Sequence, residues 1–120
     1  MEYDTLESLQ KVYPDMYLTS KQGFVQQYDL ADDKNQIIVE CKRHAAFSWN
    51  KLVKLFEKLE KSAPDNNYTC YLIFKANQQP AIVMQRSNPI NGTLYVEGFE
   101  DCFNTPFIKH TPIKRKKVQK

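Results

Sequence analysis

Apolar residues recur along this chain with two different periods, and the switches between them mark out its elements. Over residues 3–13 the apolar positions Leu6, Leu9 and Tyr13 follow helical spacing, and Pro14 closes the segment. Residues 16–21 are short and mixed, a strand or the approach to one. Residues 24–30 read as a strand entered through Gly23, and residues 32–36 form a polar turn. Residues 37–43 begin with Ile37, Ile38 and Val39, which predicts a second strand paired with the first as a hairpin. Trp49, Leu52, Val53, Phe56 and Leu59 then trace one apolar stripe of a helix, with Ser48 as N-cap and Phe47 and Leu52 as a hydrophobic staple. Lys51, Lys54, Lys58 and Lys61 take its remaining faces, and residues 64–67 end it. Strands are predicted over 69–74 and 81–85, a last strand over 93–99, and a cap on the core over 99–103.

Strand, helix, strand favours a parallel crossover, and the hairpin before it makes the sheet mixed. The predicted class is α/β, a mixed β-sheet flanked by helices. A chain of 120 residues with 42% hydrophobic and 26% charged positions is an ordinary single globular domain. No apolar run approaches the roughly 20 residues of a membrane span. The acidic start, Met1, Glu2, Tyr3 and Asp4, does not have the pattern of a signal peptide. The expectation is an intracellular protein, cytoplasmic or nucleoid-associated, with a nuclear location left open by its basic tail and no membrane partner.

Three cysteines, Cys41, Cys70 and Cys102, are an odd number without metal-like spacing and read as reduced core thiols. Neither His44 nor His110 has a neighbour at zinc-ligand spacing. Charge is divided sharply along the chain. Eleven basic residues and all fourteen acids lie in residues 1–108, which therefore carry −3, while six basic residues give 109–120 a charge of +6. A segment containing Lys114, Arg115, Lys116 and Lys117 has too little apolar surface to order itself and suits polyanions. Residues 1–108 are thus expected to form the domain and 109–120 a basic, mobile arm.

Alternation along residues 37–43 puts Ile38, Glu40 and Lys42 on one face and Ile37, Val39 and Cys41 on the other. A Glu and a Lys would then share a face that starts apolar, which is costly unless they are paired or bind a metal. If Asp32 pairs with Ile37, Tyr28 faces Cys41 and Asp29 faces Glu40. Two carboxylates so placed repel, and a divalent cation between them reverses that sign. Mg²⁺ suits one or two carboxylates completed by water and phosphate oxygens.

Asp29, followed by Glu40, Cys41 and Lys42 in an apolar strand, resembles the Asp…(Asp/Glu)-x-Lys signature of PD-(D/E)XK nucleases. Over residues 3–86 the likeness is greatest to archaeal-type Holliday-junction resolvases. They share a helix bearing a Glu, a Ser-containing loop, an Asp-aliphatic step, a hairpin, the Glu-x-Lys strand, and then a helix and two strands. Tyr28 stands where the literal motif has proline, and Pro14 and Asp15 precede the hairpin.

The resemblance implies a restriction-endonuclease-like fold and metal-dependent hydrolysis of DNA phosphodiesters. It implies Asp29 and Glu40 as metal ligands with the backbone carbonyl of Cys41, Lys42 as the residue that orients water and stabilises charge, and Glu7 as the helix carboxylate. The metal would be Mg²⁺, with Mn²⁺ as substitute. Ser20, Lys21, Arg43, His44, Lys51, Lys114, Arg115, Lys116 and Lys117 are the residues expected to contact DNA. Branched DNA, including four-way junctions, and a homodimer are the expected partners, since symmetric cutting needs two sites. A restriction- or repair-type nuclease on linear DNA, or a non-catalytic nucleic-acid-binding module of the same fold, are the alternatives.

Overall fold

The computed structural model describes residues 1–22, 28–44, 46–88 and 91–108, without the side chains of residues 21 and 22. Its elements are α1 (Glu2–Gln10), β1 (Tyr17–Leu18), a 3-10 turn (Thr19–Gln22), β2 (Leu30–Asp32), β3 (Ile37–Arg43) and α2 (Trp49–Ser62). They continue with β4 (Thr69–Lys75), β5 (Ile82–Arg86), β6 (Leu94–Gly98) and α3 (Phe99–Phe103). The six strands form one sheet in chain order. The pair β3–β4 is parallel, joined by α2, and every other neighbouring pair is antiparallel. The chain is thus a mixed α/β fold, as expected. The strand expected over 24–30 is observed only at Leu30, which begins β2, and residues 23–27 lie outside the described residues.

The hairpin register is Leu30 opposite Val39, Ala31 opposite Ile38 and Asp32 opposite Ile37, as the turn length predicts. Asp32, fully buried, sets it. Its Oδ1 accepts from the backbone N–H groups of Lys34 and Asn35, both at 3.1 Å, and its Oδ2 accepts from the Asn35 amide at 2.7 Å. A buried carboxylate satisfied by three donors costs little. It folds the turn over itself, and Gln36 leaves in the left-handed region at φ 56°.

Alternation along β3 then divides the core into two. Ile37, Val39 and Cys41 pack with Leu9 of α1 and with Phe99 and Phe103 of α3. Ile38 packs with Leu52, Phe56 and Leu59 of α2. Ser48 caps α2 in extended conformation and accepts from the Lys51 N–H at 3.3 Å. Trp49 departs from the stripe assigned to it: it is 50% exposed, at the first turn of the helix.

The rotation of α2 about its axis is held by a fork. The Arg86 Nη2 donates to Glu60 Oε1 at 2.9 Å, its Nε donates to Oε2, its Nη1 donates to the Gly92 carbonyl at 2.9 Å, and its guanidinium lies over the Phe56 ring. α1 is tied from the other side of the sheet, where Ser8 Oγ accepts the Ile108 N–H at 2.7 Å.

Candidate active site

Asp29 stands one step beyond the last paired residue of β2. Its backbone N–H donates to the Val39 carbonyl at 2.9 Å, and its carbonyl accepts from the Thr19 N–H at 3.0 Å. Thr19 Oγ1 donates to the Tyr28 carbonyl at 2.6 Å, so the approach to β2 is pinned from the 3-10 turn. In place of a further ladder bond, the Asp29 carboxylate Oδ2 accepts the Cys41 N–H at 2.8 Å. The expected face-to-face ladder pairing of Asp29 with Glu40, and of Tyr28 with Cys41, is therefore replaced by a side-chain approach. The two carboxyl groups still meet. Both line one pocket, and the Asp29 charge is among the causes that raise Glu40.

Electrostatics around the pair are strained in a definite sense. Burial, followed by the neighbouring Asp29 charge, pushes Glu40 up to about 7. Burial also raises Asp29, against the lowering effect of the Cys41 N–H. Lys42 Nζ lies 3.0 Å from Glu40 Oε2, with the lysine side chain 32% and the glutamate side chain 17% exposed. One cation is not enough to let two half-buried carboxylates ionise freely.

These groups open into a pocket of about 230 Å³ lined by Tyr28, Asp29, Glu40, Lys42, Leu55, Lys58 and Leu59. Tyr28 and Lys58 are thus neighbours of the three motif residues, although the motif does not include them. On its other side Asp29 borders a second hollow of about 160 Å³, lined also by Glu2, Tyr3, Leu18, Thr19 and Ser20. A larger cavity of about 540 Å³, lined by Lys75, Phe99 and Phe107 among others, shares no residue with either.

The structure brings Asp29, Glu40 and Lys42 together, with Ser20 at the neighbouring hollow. Arg43 is exposed opposite Lys75 at the end of β3. His44 is exposed, edge-on to Phe47. Lys51 is exposed on the first turn of α2, the Lys21 side chain is undescribed, and Lys114, Arg115, Lys116 and Lys117 lie outside the described residues. Glu7 is exposed on α1 and lines neither hollow at Asp29. Glu2 of α1 lines the second hollow with Asp29, and its charge helps to raise Asp29. Glu2 shares its helix face with the buried Thr5 and Leu9, at i, i+3 and i+7, and that phase was the available signal. Glu7 is turned from Glu2 by about 140°.

Hard oxygen ligands are what this arrangement has to offer. Among the described residues no group of three or more His, Cys, Asp or Glu side chains is gathered. The Asp29 and Glu40 carboxylates would be completed by backbone and water, a donor set that fits Mg²⁺. In an extended strand the N–H and C=O of one residue point the same way. The Cys41 carbonyl therefore shares the side on which its N–H meets Asp29. The thiols are poor candidates: burial raises Cys41 far above its usual value and pushes Cys70 and Cys102 up to about 12. No protein-family model, no curated protein and no solved structure matches the chain.

Proposed function

We propose that this chain is a metal-dependent endodeoxyribonuclease of the PD-(D/E)XK kind, with a restriction-endonuclease-like fold, acting on branched DNA as a homodimer. The observation that carries the reading is the meeting of two half-buried carboxyl groups, from Asp29 and Glu40, beside the Lys42 ammonium in one open pocket. The order of helix, antiparallel strands, crossover helix and parallel strand supports it, being the order the resemblance implies.

Asp29 and Glu40, with the Cys41 carbonyl, would hold Mg²⁺, whose charge would offset the repulsion between the two carboxylates. When bound, the ion supplies a water of lowered pKa and neutralises charge at the phosphate. Lys42 presents its amine to the same pocket, placed to orient the attacking water and to offset negative charge as it develops on the phosphoryl oxygens. The Cys41 N–H keeps the Asp29 carboxylate aimed across the strand. Leu55 and Leu59 form an apolar wall that weakens solvent screening of these charges.

The test is incubation of the purified chain with a labelled four-way junction, a matched duplex and a single strand, with and without Mg²⁺. Junction cleavage that requires Mg²⁺ and is lost in Asp29→Asn supports the reading. Equal cutting of linear duplex moves it to a restriction- or repair-type nuclease. No nicking of any substrate with Mg²⁺ or Mn²⁺ overturns it in favour of a binding module.

A further inference from the structure

The charges on α2 are sorted around its axis. At about 100° per residue, Lys51, Lys54, Lys58 and Lys61 fall within an arc of about 80°, with Glu57 at its edge, about 40° from Lys61, and Glu60 about 160° from Lys58. All four lysines are exposed, and none takes part in an ion pair among the described residues. The strip borders the Asp29–Glu40–Lys42 pocket, since Lys58 and the adjacent Leu55 line it. The fork from Glu60 to Arg86 grips the opposite side of the helix and keeps the strip turned this way.

Like charges three and four residues apart on a helix repel. Glu57, at the edge of the strip, offsets only part of this repulsion, and Glu60 is held by Arg86. The strip runs about 15 Å along the helix, toward and past a pocket whose chemistry suits a phosphodiester. We propose that it is the track on which the sugar-phosphate backbone of a nucleic acid lies as it passes the pocket, an inference that rests on the nuclease reading. Lys54 and Lys61 would contact phosphates one helical turn to either side of the one held at Lys58. Such contacts release counterions, which makes the track measurable apart from catalysis.

The experiment compares two double variants of equal net charge, Lys54→Gln with Lys61→Gln, and Lys11→Gln with Lys34→Gln. Binding of labelled duplex and single strand is followed by fluorescence anisotropy in EDTA over a range of salt. The first pair is expected to lower the slope of log Kd against log salt by about 1.8 on duplex or about 1.4 on a single strand. The second pair should leave it unchanged, and arginine at 54 and 61 should restore it. Equal slopes for the two doubles overturn the track. So does a polyglutamate peptide whose binding depends on Lys54 and Lys61 as strongly as that of DNA, an outcome that would assign the face to an acidic protein. Cleavage by wild type together with equal slopes removes the track alone. A slope change without cleavage under any metal removes the nuclease reading and leaves a nucleic-acid-binding face.

Discussion

Two ion pairs lie on the α2 side of the sheet, and they differ in whether their charges are satisfied. At Arg86–Glu60 both guanidinium nitrogens facing the carboxylate are used, a third donates to a carbonyl, and an aromatic ring takes the cation's face. The Arg86 pKa rises, first because of its hydrogen bonds to Glu60, so the pair reinforces its own ionised form. At Lys42–Glu40 a single amine meets a carboxylate that also faces Asp29, and Glu40 is driven up to about 7. Similar residue types therefore make a clamp in one place and an unresolved charge conflict in the other. Conflicts of this kind cluster at functional sites, because a ligand is what resolves them.

The largest expected difference is in activity. Asp29→Asn or Lys42→Ala should lower Mg²⁺-dependent cleavage of labelled DNA by roughly 10²–10⁴-fold with little loss of DNA affinity. Glu60→Gln should leave the cleavage rate within a few-fold. If Glu60→Gln proves as damaging, the contrast between clamp and conflict is lost.

Stability should respond in the opposite order. Arg86→Ala strands a partly buried carboxylate and should cost about 1–3 kcal/mol in chemical denaturation at neutral pH. Glu40→Gln removes one of two repelling carboxylates and should stabilise the fold there, by roughly 1–2 kcal/mol.

The pH dependence follows from the same group. Folded Glu40 binds its proton more tightly than the unfolded chain does, at about 7 against an ordinary 4.5. Its contribution is therefore fully favourable below about pH 4.5 and lost as pH rises through about 7. The stability difference between wild type and Glu40→Gln should grow over that window in favour of the variant, as read by denaturant titration at a series of pH values. Mg²⁺ should narrow the gap, raising the wild-type Tm more above about pH 7 than below about pH 5, and EDTA should restore it. A gap that ignores both pH and Mg²⁺ would mean that burial and the Asp29 charge do not raise Glu40. The smallest effect belongs to Lys34–Asp15, at 3.8 Å and largely exposed, where Lys34→Ala should leave the Tm unchanged.

Legibility from sequence varied with the range of the physics involved. The two faces of β3 and the turn register follow from alternation and from one short polar link, both local, and both are found as expected. Trp49 shows where periodicity stops: it assigns a residue to a helix face but not how much structure lies beneath that turn. Glu7 shows the same at a site. The resemblance named Glu7 on α1, and the packing of Thr5 and Leu9 places Glu2 at the hollow beside Asp29.

By itself, then, the order of residues determined the elements, the mixed sheet, the pairing of Asp32 with Ile37 and the common face of Glu40 and Lys42. These depend on side-chain alternation, helical phase and turn chemistry, which act over a few residues. Only the tertiary structure decided that Asp29 leaves its ladder to take the Cys41 N–H, that Lys58 shares its pocket, and that Glu60 is spent on Arg86. Each of these joins groups that are far apart along the chain, and their energies depend on burial and distance that exist only once the layers have packed.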